Sequence, residues 1–385
     1  MRFQILDIIP HQKNPVTGRE INVDERLSQA LISARYAEEF GFDAVAIGER
    51  HAGHFISSGI TVLLGAIAAT TNRVRIQTGV TVLSVLDPLR VAEDYATLDQ
   101  LSRGRVELTI GKGNELRQLP MFGIEPGKQW DALAEKYALL RRLWREESVT
   151  WSGRFRPPLA EVTSLPRPYA GAPRVWHGSA TTETSALLAG RWGDPLFSAN
   201  AIQPRDNYTR LIDIYRQAYV EHGHDPRFAY VGAGAGFLYL ADTTQEAKAA
   251  FGETYERMVA FFNQPGNHTP GNEFTFGTIE DAIDLGPVLV GSPRQIAEKL
   301  LWWHDAFGHD LQSFSLPTVL PHEQQLEMLG RLASEVLPVV RAAAPTTLWT
   351  AEDPYGARPA VHGRAVSDAA AEVEKAGRHE MGRPS

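Results

Sequence analysis

The feature that most constrains the fold of this chain is the alternation of strand-type and helix-type segments along its first 345 residues. Eight short apolar runs predict β-strands at residues 2–9, 43–47, 74–83, 105–110, 174–178, 195–199, 228–241 and 311–316. Helical periodicity or end signals follow most of these runs, at residues 24–40, 87–104, 130–144, 182–190, 205–220, 292–308 and 324–341. Strands separated by helices form parallel sheets, and eight such units predict an α/β fold, a single (β/α)8 TIM barrel over residues 1–345.

The best-marked unit is the helix that precedes the fourth predicted strand. Asp87 is a typical N-cap residue, Pro88 suits the first helical turn, and Gly104 provides the stop. The doubly wound α/β alternative fits less well, because no G-x-G-x-x-G sequence follows the first strand.

Two segments depart from a minimal barrel. A long insertion separates the seventh strand from the helix at residue 292, and its Gly-, Asn-, Pro- and Thr-rich part at 264–277 is predicted to form a lid over the C-terminal face. A tolerated surface loop is the alternative. The tail at 346–385 is rich in Ala, Gly, Pro and charge without sustained periodicity, and is predicted to be mobile.

Composition narrows the classes of function. The chain has 385 residues, 43% of them hydrophobic, and a net charge of −8, which argues against nucleic acid or an anionic membrane as the main partner. Cysteine is absent, so disulfides and thiolate chemistry are excluded. The first residues lack the apolar length of a signal peptide, and a cytoplasmic location is expected.

A glycine-rich turn follows the fourth predicted strand. Glycine lets the backbone approach a ligand closely, and Lys112 with Asn114 in the same turn offers a cation and an amide for a phosphate. A hydroxyl-rich turn after the fifth strand suits a phosphate dianion at a helix start, although simple helix capping is compatible with it. The residues of this second turn are Gly178, Ser179, Thr181 and Thr182.

Four ordered motifs carry a resemblance to a known family. They are EEFGFDAVAIGERH at 38–51, DPLRVAEDYATLDQLSRGR at 87–105, GSATTE at 178–183 and VGSPRQIAEKL at 290–300. From residue 1 to about residue 345 the chain resembles the bacterial-luciferase-like flavin-dependent monooxygenases. The resemblance implies a flavin at the C-terminal mouth of the barrel, with its phosphate on the two turns described above. It also implies a non-prolyl cis peptide at Gly79-Val80, beneath the flavin ring.

The second strand ends in Glu49-Arg50-His51, where the family frequently has Glu-His-His. These three residues are the candidate catalytic group. His51 is predicted to handle protons, because histidine titrates near neutral pH. Arg50 cannot act as a base, but it can stabilise negative charge on the flavin or the substrate. The alternative for His51 is a structural role at the strand end.

The implied reaction uses reduced FMN, delivered by a separate NAD(P)H:flavin reductase, and O2 to oxidise a small apolar or aromatic organic substrate. Phe55, Trp176 and Phe197 are expected to line its pocket, and the chain is expected to form a homodimer or a higher homo-oligomer. A deazaflavin-dependent oxidoreductase of the same fold and a non-catalytic flavin-binding barrel remain open. A metal-dependent hydrolase using His51, His54 and His177 is disfavoured and no metal site is predicted, because the first strand lacks paired histidines.

Overall fold

The computed structural model describes residues 1–14, 16–180, 182–264 and 273–356. Its strands, β1 to β12 in chain order, are Arg2–Asp7, Ala44–Ile47, Arg75–Thr78, Val106–Ile110, Val149–Trp151, Leu159–Val162, Arg174–Ser179, Leu196–Ser198, Val231–Ala233, Leu238–Leu240, Leu289–Gly291 and Leu311–Ser315. Its helices, α1 to α12, are Val23–Glu39, Ile60–Thr70, Pro88–Ser102, Gln118–Met121, Gln129–Arg145, Glu183–Trp192, Arg205–Glu221, Thr244–Phe262, Ile279–Asp284, Pro293–Phe307, His322–Arg331 and Leu337–Ala343.

Eight strands within the described residues close into a parallel barrel, in the order β1-β2-β3-β4-β7-β8-β9-β12. β12 pairs with β1, with Arg2 opposite Leu311, and this pairing closes the ring. Buried apolar side chains of the strands pack against the surrounding helices. The (β/α)8 barrel predicted from the alternation is therefore confirmed.

The end signals of α3 act as the sequence indicates. The Asp87 carboxylate accepts the backbone N–H of Leu89 at 2.9 Å, and Pro88 occupies the first turn. Arg103 takes a left-handed conformation at the C-terminal end, with a φ of 56°. The chain then enters β4 directly, so this helix sets the position of the turn that follows the strand.

Two of the differences from the sequence prediction are at α2 and at the seventh predicted strand. The sequence pattern does not predict α2, which lies between the second and third strands. The sequence of this helix, ITVLLGAIAAT, has no polar face, and its N-cap residue, Gly59, has no capping side chain. The seventh predicted strand, 228–241, divides into β9 in the barrel and β10 outside it. β10 pairs with β11, and α8 and α9 pack on this pair to give the insertion an apolar core of its own.

The predicted lid at 264–277 falls largely on residues 265–272, which lie outside the described residues. On its C-terminal side, Phe274 stacks on Phe237 with ring centroids 5.6 Å apart and exchanges backbone hydrogen bonds with the Asn263 side chain at 2.9 and 3.1 Å. The described flanks therefore belong to the core of the insertion, and the lid stays a prediction.

The first residues of the tail are packed against the barrel, in contrast to the prediction of a mobile tail. Residues 346–356 pack across the N-terminal end of the barrel, where Leu348 is fully buried and Asp353 is bound by Arg174 of β7. The indole of Trp349 donates to Glu107 of β4 at 2.7 Å. Long-range polar contacts order this segment despite its lack of periodicity, and the rest of the tail lies outside the described residues.

None of the helices in the described ranges is long and apolar enough to cross a membrane.

A half-buried lysine holds part of the insertion to the barrel. The Lys299 ammonium of α10 donates to the carbonyls of Ala282, at 3.2 Å, and Ile283 at the end of α9. Desolvation lowers the pKa of Lys299 to about 7, while Asp284 partly opposes this shift. Between about pH 7 and 10.5 the folded state then binds fewer protons than the unfolded state at this site, so its contribution to stability rises with pH.

We expect Lys299→Met to remove this pH dependence. From pH 7 to 9.5, the wild type should gain on the order of 1–2 kcal/mol in free energy of unfolding relative to the variant. Urea denaturation at several pH values measures the difference, with exposed Lys13→Met as the control. A difference between wild type and Lys299→Met that stays constant with pH would contradict the assignment.

Candidate active site

A cavity of about 250 Å³ opens at the C-terminal ends of the barrel strands. Active sites of this fold lie at that end of the barrel. The cavity is lined by Gln4, Leu6, Ile8, Glu49, Arg50, Thr78, Gly79, Val80, Val82, Thr109, Gly111, Lys112, Gly113, Asn114, Gln118, Trp130, Gly178, Ser179, Ala180, Thr182, Phe197 and Ala199. The cavity lining includes every described residue that the sequence predicts to contact a cofactor or a substrate, except His51, Phe55 and Trp176.

Glycines shape the floor of this cavity. The Gly79-Val80 peptide bond after β3 is cis, as expected from the resemblance. A Cβ atom at Gly79 would lie 2.5 Å from a Leu6 methyl, and one at Gly178 would lie 2.8 Å from a Val80 methyl. Both distances are shorter than real Cβ contacts, so larger residues at these positions would push the neighbouring strands apart.

Lys112 lies at the β4 edge of the cavity. Its ammonium donates to the Gly113 carbonyl at 3.2 Å and sits 5.8 Å from the Trp130 ring centroid. Desolvation lowers its pKa from the ordinary value of lysine. Nearby, the Gln118 side-chain carbonyl oxygen is buried without a hydrogen-bond partner. This edge therefore offers a poorly solvated cation beside an unsatisfied polar atom.

The second predicted turn lies on the next strand of the barrel, β7. The Ser179 hydroxyl donates to the Thr182 carbonyl at 2.9 Å and accepts the Thr182 N–H at 3.2 Å. Ser179 therefore closes the turn at the start of α6, and the side chain of Thr182 makes no capping bond. Thr181 lies outside the described residues. Lys112 and this turn come from adjacent strands, β4 and β7.

Glu49 and His51 form a pair beside the cavity. Glu49 is buried on the cavity wall, and its Oε2 accepts the Val82 N–H at 2.8 Å. Its Oε1 is hydrogen-bonded to His51 Nε2. The His51 ring does not line the cavity; it packs edge-on against Phe122, with centroids 4.6 Å apart. His51 therefore reaches the cavity only through the Glu49 carboxylate.

Arg50, unlike His51, lines the cavity itself. Its guanidinium carbon lies 4.7 Å from the centroid of the Phe55 ring, so Phe55 supports the arginine instead of lining the pocket as expected. Trp176 is also displaced from its predicted role, because it is buried deeper in the barrel and donates to Glu107 at 2.8 Å. Of the three predicted aromatic lining residues, Phe197 alone lines the cavity among the described residues.

The three histidines of the hydrolase alternative are not brought together. His177 is fully buried and lies 3.2 Å from Asp194. His54 is exposed in the loop after β2. Sequence reasoning missed the cavity residues Gln4, Thr78, Gln118 and Trp130, because no motif marks a side chain that reaches a site from the barrel interior or from a following helix.

These features define a barrel whose C-terminal mouth has a cationic edge and an apolar floor. A family model described as luciferase-like monooxygenase matches residues 1–310. The chain belongs to the luciferase-like monooxygenase family.

Similar proteins include enzymes of two cofactor types. The FMNH(2)-dependent dimethylsulfone monooxygenase of Pseudomonas fluorescens is 26% identical over 332 residues, 82% of each chain. The F420-dependent glucose-6-phosphate dehydrogenase of Beutenbergia cavernae is 32% identical over 330 residues, covering 80% of this chain and 91% of that one. The crystal structure of monooxygenase RslO1 from Streptomyces bottropensis superimposes with a TM-score of 0.76 at 27% identity, covering 88% and 99% of the two chains. The match to an uncharacterised Mycobacterium tuberculosis protein is 34% identical over 133 residues and spans about half, 47%, of that relative.

Proposed function

We propose that this protein is the oxygenase of a two-component system. It takes reduced FMN from a separate NAD(P)H:flavin reductase and uses O2 to oxidise a small apolar or aromatic organic substrate. The observation that carries the proposal is the cavity, which has a desolvated cation at one edge and an apolar floor. The similarity to an FMNH(2)-dependent monooxygenase over 82% of the chain supports it.

The residues present fit FMN. The Lys112 ammonium has three donors, and Gly113 accepts one of them. The start of α6 adds backbone N–H groups beside Ser179, an arrangement that favours a dianion. Gln118 Oε1, buried without a partner, provides an acceptor for a polar edge of a bound ring.

Different residues of the cavity then contribute differently to the proposed reaction. Reduced FMN, when bound, supplies two electrons, so that one oxygen atom of O2 enters the substrate and the other leaves as water. Lys112 and the Ser179 turn bind the phosphate and fix its position. Leu6, Ile8 and Val80 exclude water from the floor. Glu49 Oε1 is hydrogen-bonded to His51 Nε2 at the cavity wall, and this bond provides a route for a proton.

We expect Lys112→Ala to weaken FMN binding by about 1.5–3 kcal/mol, because a charge-assisted contact to the phosphate is lost. Riboflavin, which lacks the phosphate, should bind wild type and variant alike. Fluorescence titration of both flavins measures the effect, and exposed Lys128→Ala is the matched control. Equal losses for FMN and riboflavin would mean that Lys112 acts through folding instead.

A deazaflavin-dependent oxidoreductase is the second candidate, favoured by the 32% identity to an F420-dependent dehydrogenase. Parallel titrations with FMN and F420 distinguish the two. Turnover with a reductase, NADH and a panel of aldehydes and aromatics then tests the oxygenase. Flavin binding without product or oxygen consumption would favour a non-catalytic barrel.

The predicted homo-oligomer is a separate proposal. Sedimentation velocity of the full chain measures the mass in solution, and a monomer would contradict it.

A further inference from the structure

Arg50 is held in a fixed place on the cavity wall. It follows Glu49 at the exit of β2, where its backbone N–H points at the Ser57 carbonyl, 3.5 Å away. Its guanidinium rests on the Phe55 ring, and Phe55 in turn pairs with Pro10 across an isolated bridge. The stacked ring limits the rotamers of the arginine, so the position of its charge beside the cavity is restricted before any ligand arrives.

The charge of Arg50 has no acceptor. Among the described residues, its guanidinium makes no hydrogen bond and no ion pair. The carboxylate that acts on it, Glu115, is already occupied by Arg117, whose Nε and Nη2 donate at 2.9 and 2.8 Å. Desolvation lowers the pKa of Arg50, and the attraction of Glu115 offsets only part of this shift.

Two arginines that the structure buries, Arg105 and Arg174, both have acceptors. The Arg105 guanidinium donates to Thr71 and to backbone carbonyls at 2.9–3.1 Å. Arg174 is bound to Asp353. A desolvated guanidinium without an acceptor is costly, so the one at the cavity wall indicates a group that binds there.

We infer that the substrate is an organic acid and that Arg50 binds its carboxylate. The two-pronged guanidinium matches the two oxygens of a carboxylate. The apolar walls provided by Leu6, Ile8, Val82 and Phe197 suit the hydrocarbon part of such a molecule. Glu49 does not compete for Arg50, because both of its oxygens are already hydrogen-bonded.

This inference deepens the proposed function and rests on it for the reaction alone; the carboxylate site is tested by binding. The probes are acid and amide pairs of matched shape: benzoate with benzamide, phenylacetate with phenylacetamide, and hexanoate with hexanamide. Calorimetric titration of the full chain, with and without FMN, should show the acid of at least one pair binding about tenfold or more tighter than its amide. Arg50→Gln should abolish that preference, and Arg50→Lys should retain part of it.

Two controls locate the effect. Arg205 is another arginine stacked on an aromatic ring, 4.0 Å from the Trp302 centroid, and it lies outside the cavity lining. The Arg205→Gln variant should therefore keep the full preference for the acid over the amide. Lys112→Ala should also keep it, since that lysine lies at the phosphate edge. Equal binding of acids and amides, failure of every acid to bind, or a preference that depends on Lys112 instead of Arg50 would each overturn the inference. Failure of FMN to bind would overturn the proposed function and leave the carboxylate result standing.

Discussion

Glu107→Ala is expected to lower the free energy of unfolding by about 3–5 kcal/mol, the typical cost of removing one partner from a buried charge pair. Glu107 of β4 is 1% exposed and accepts hydrogen bonds through both oxygens. Oε2 accepts from Trp176 at 2.8 Å and Gln77 at 3.1 Å, while Oε1 accepts from Trp349 at 2.7 Å and Arg75 at 3.2 Å.

The loss is large because two of the donors left behind, Trp176 and Gln77, remain buried. Arg174 also lies 4.0 Å from Glu107, and its Nη1 already lacks a hydrogen bond. Guanidinium chloride denaturation followed by circular dichroism measures the change, and exposed Glu327→Ala should stay within about 0.5 kcal/mol of the wild type. A loss below about 1 kcal/mol for Glu107→Ala would mean that water replaces the carboxylate without cost.

His51→Ala is expected to lower coupled product formation about 10²-fold or more while FMN affinity stays nearly unchanged. His51 lies outside the cavity lining, but it is hydrogen-bonded to Oε1 of Glu49, which is a lining residue. Without the imidazole, the Glu49 carboxylate loses its proton-exchanging partner while Val82 still holds its other oxygen. The measurement is product formed per reduced FMN consumed, beside hydrogen peroxide release.

The matched control is His54→Ala, three residues along the same loop. His54 is exposed and does not contact Glu49, so its variant should keep wild-type coupling. Wild-type rate and coupling in His51→Ala would assign His51 a structural role.

The barrel and the presence of Lys112 and Ser179 at one cavity were predictable because their signals are local. The Asp87 cap, Pro88 and Gly104 mark α3 within one stretch of chain, and the strand they lead into carries Lys112 at its end. Parallel strands present their C-terminal ends to one face, so residues at those ends meet whatever the details of packing. This geometry placed Lys112 and Ser179 at one cavity from sequence alone.

Local signals also have limits within single elements. α2 has no polar face, so periodicity does not distinguish it from a buried strand. α8 begins with a capping box, Thr243 with Glu246, which is a sequence signal for a helix inside the insertion. Periodicity therefore cannot reveal α2, whereas the start of α8 is marked in the sequence.

The sequence by itself determined the parallel barrel, the face at which the cavity opens and the presence of Lys112 and Ser179 at that face. Tertiary structure alone decided which side chains reach the cavity: Arg50 lines it, whereas its neighbour His51 turns towards Phe122. It also decided the packing of residues 346–356, where Trp349 meets Glu107 across 242 positions of sequence. Caps and periodicity act within a few residues, whereas these contacts exist only once the barrel has closed and brought distant segments together.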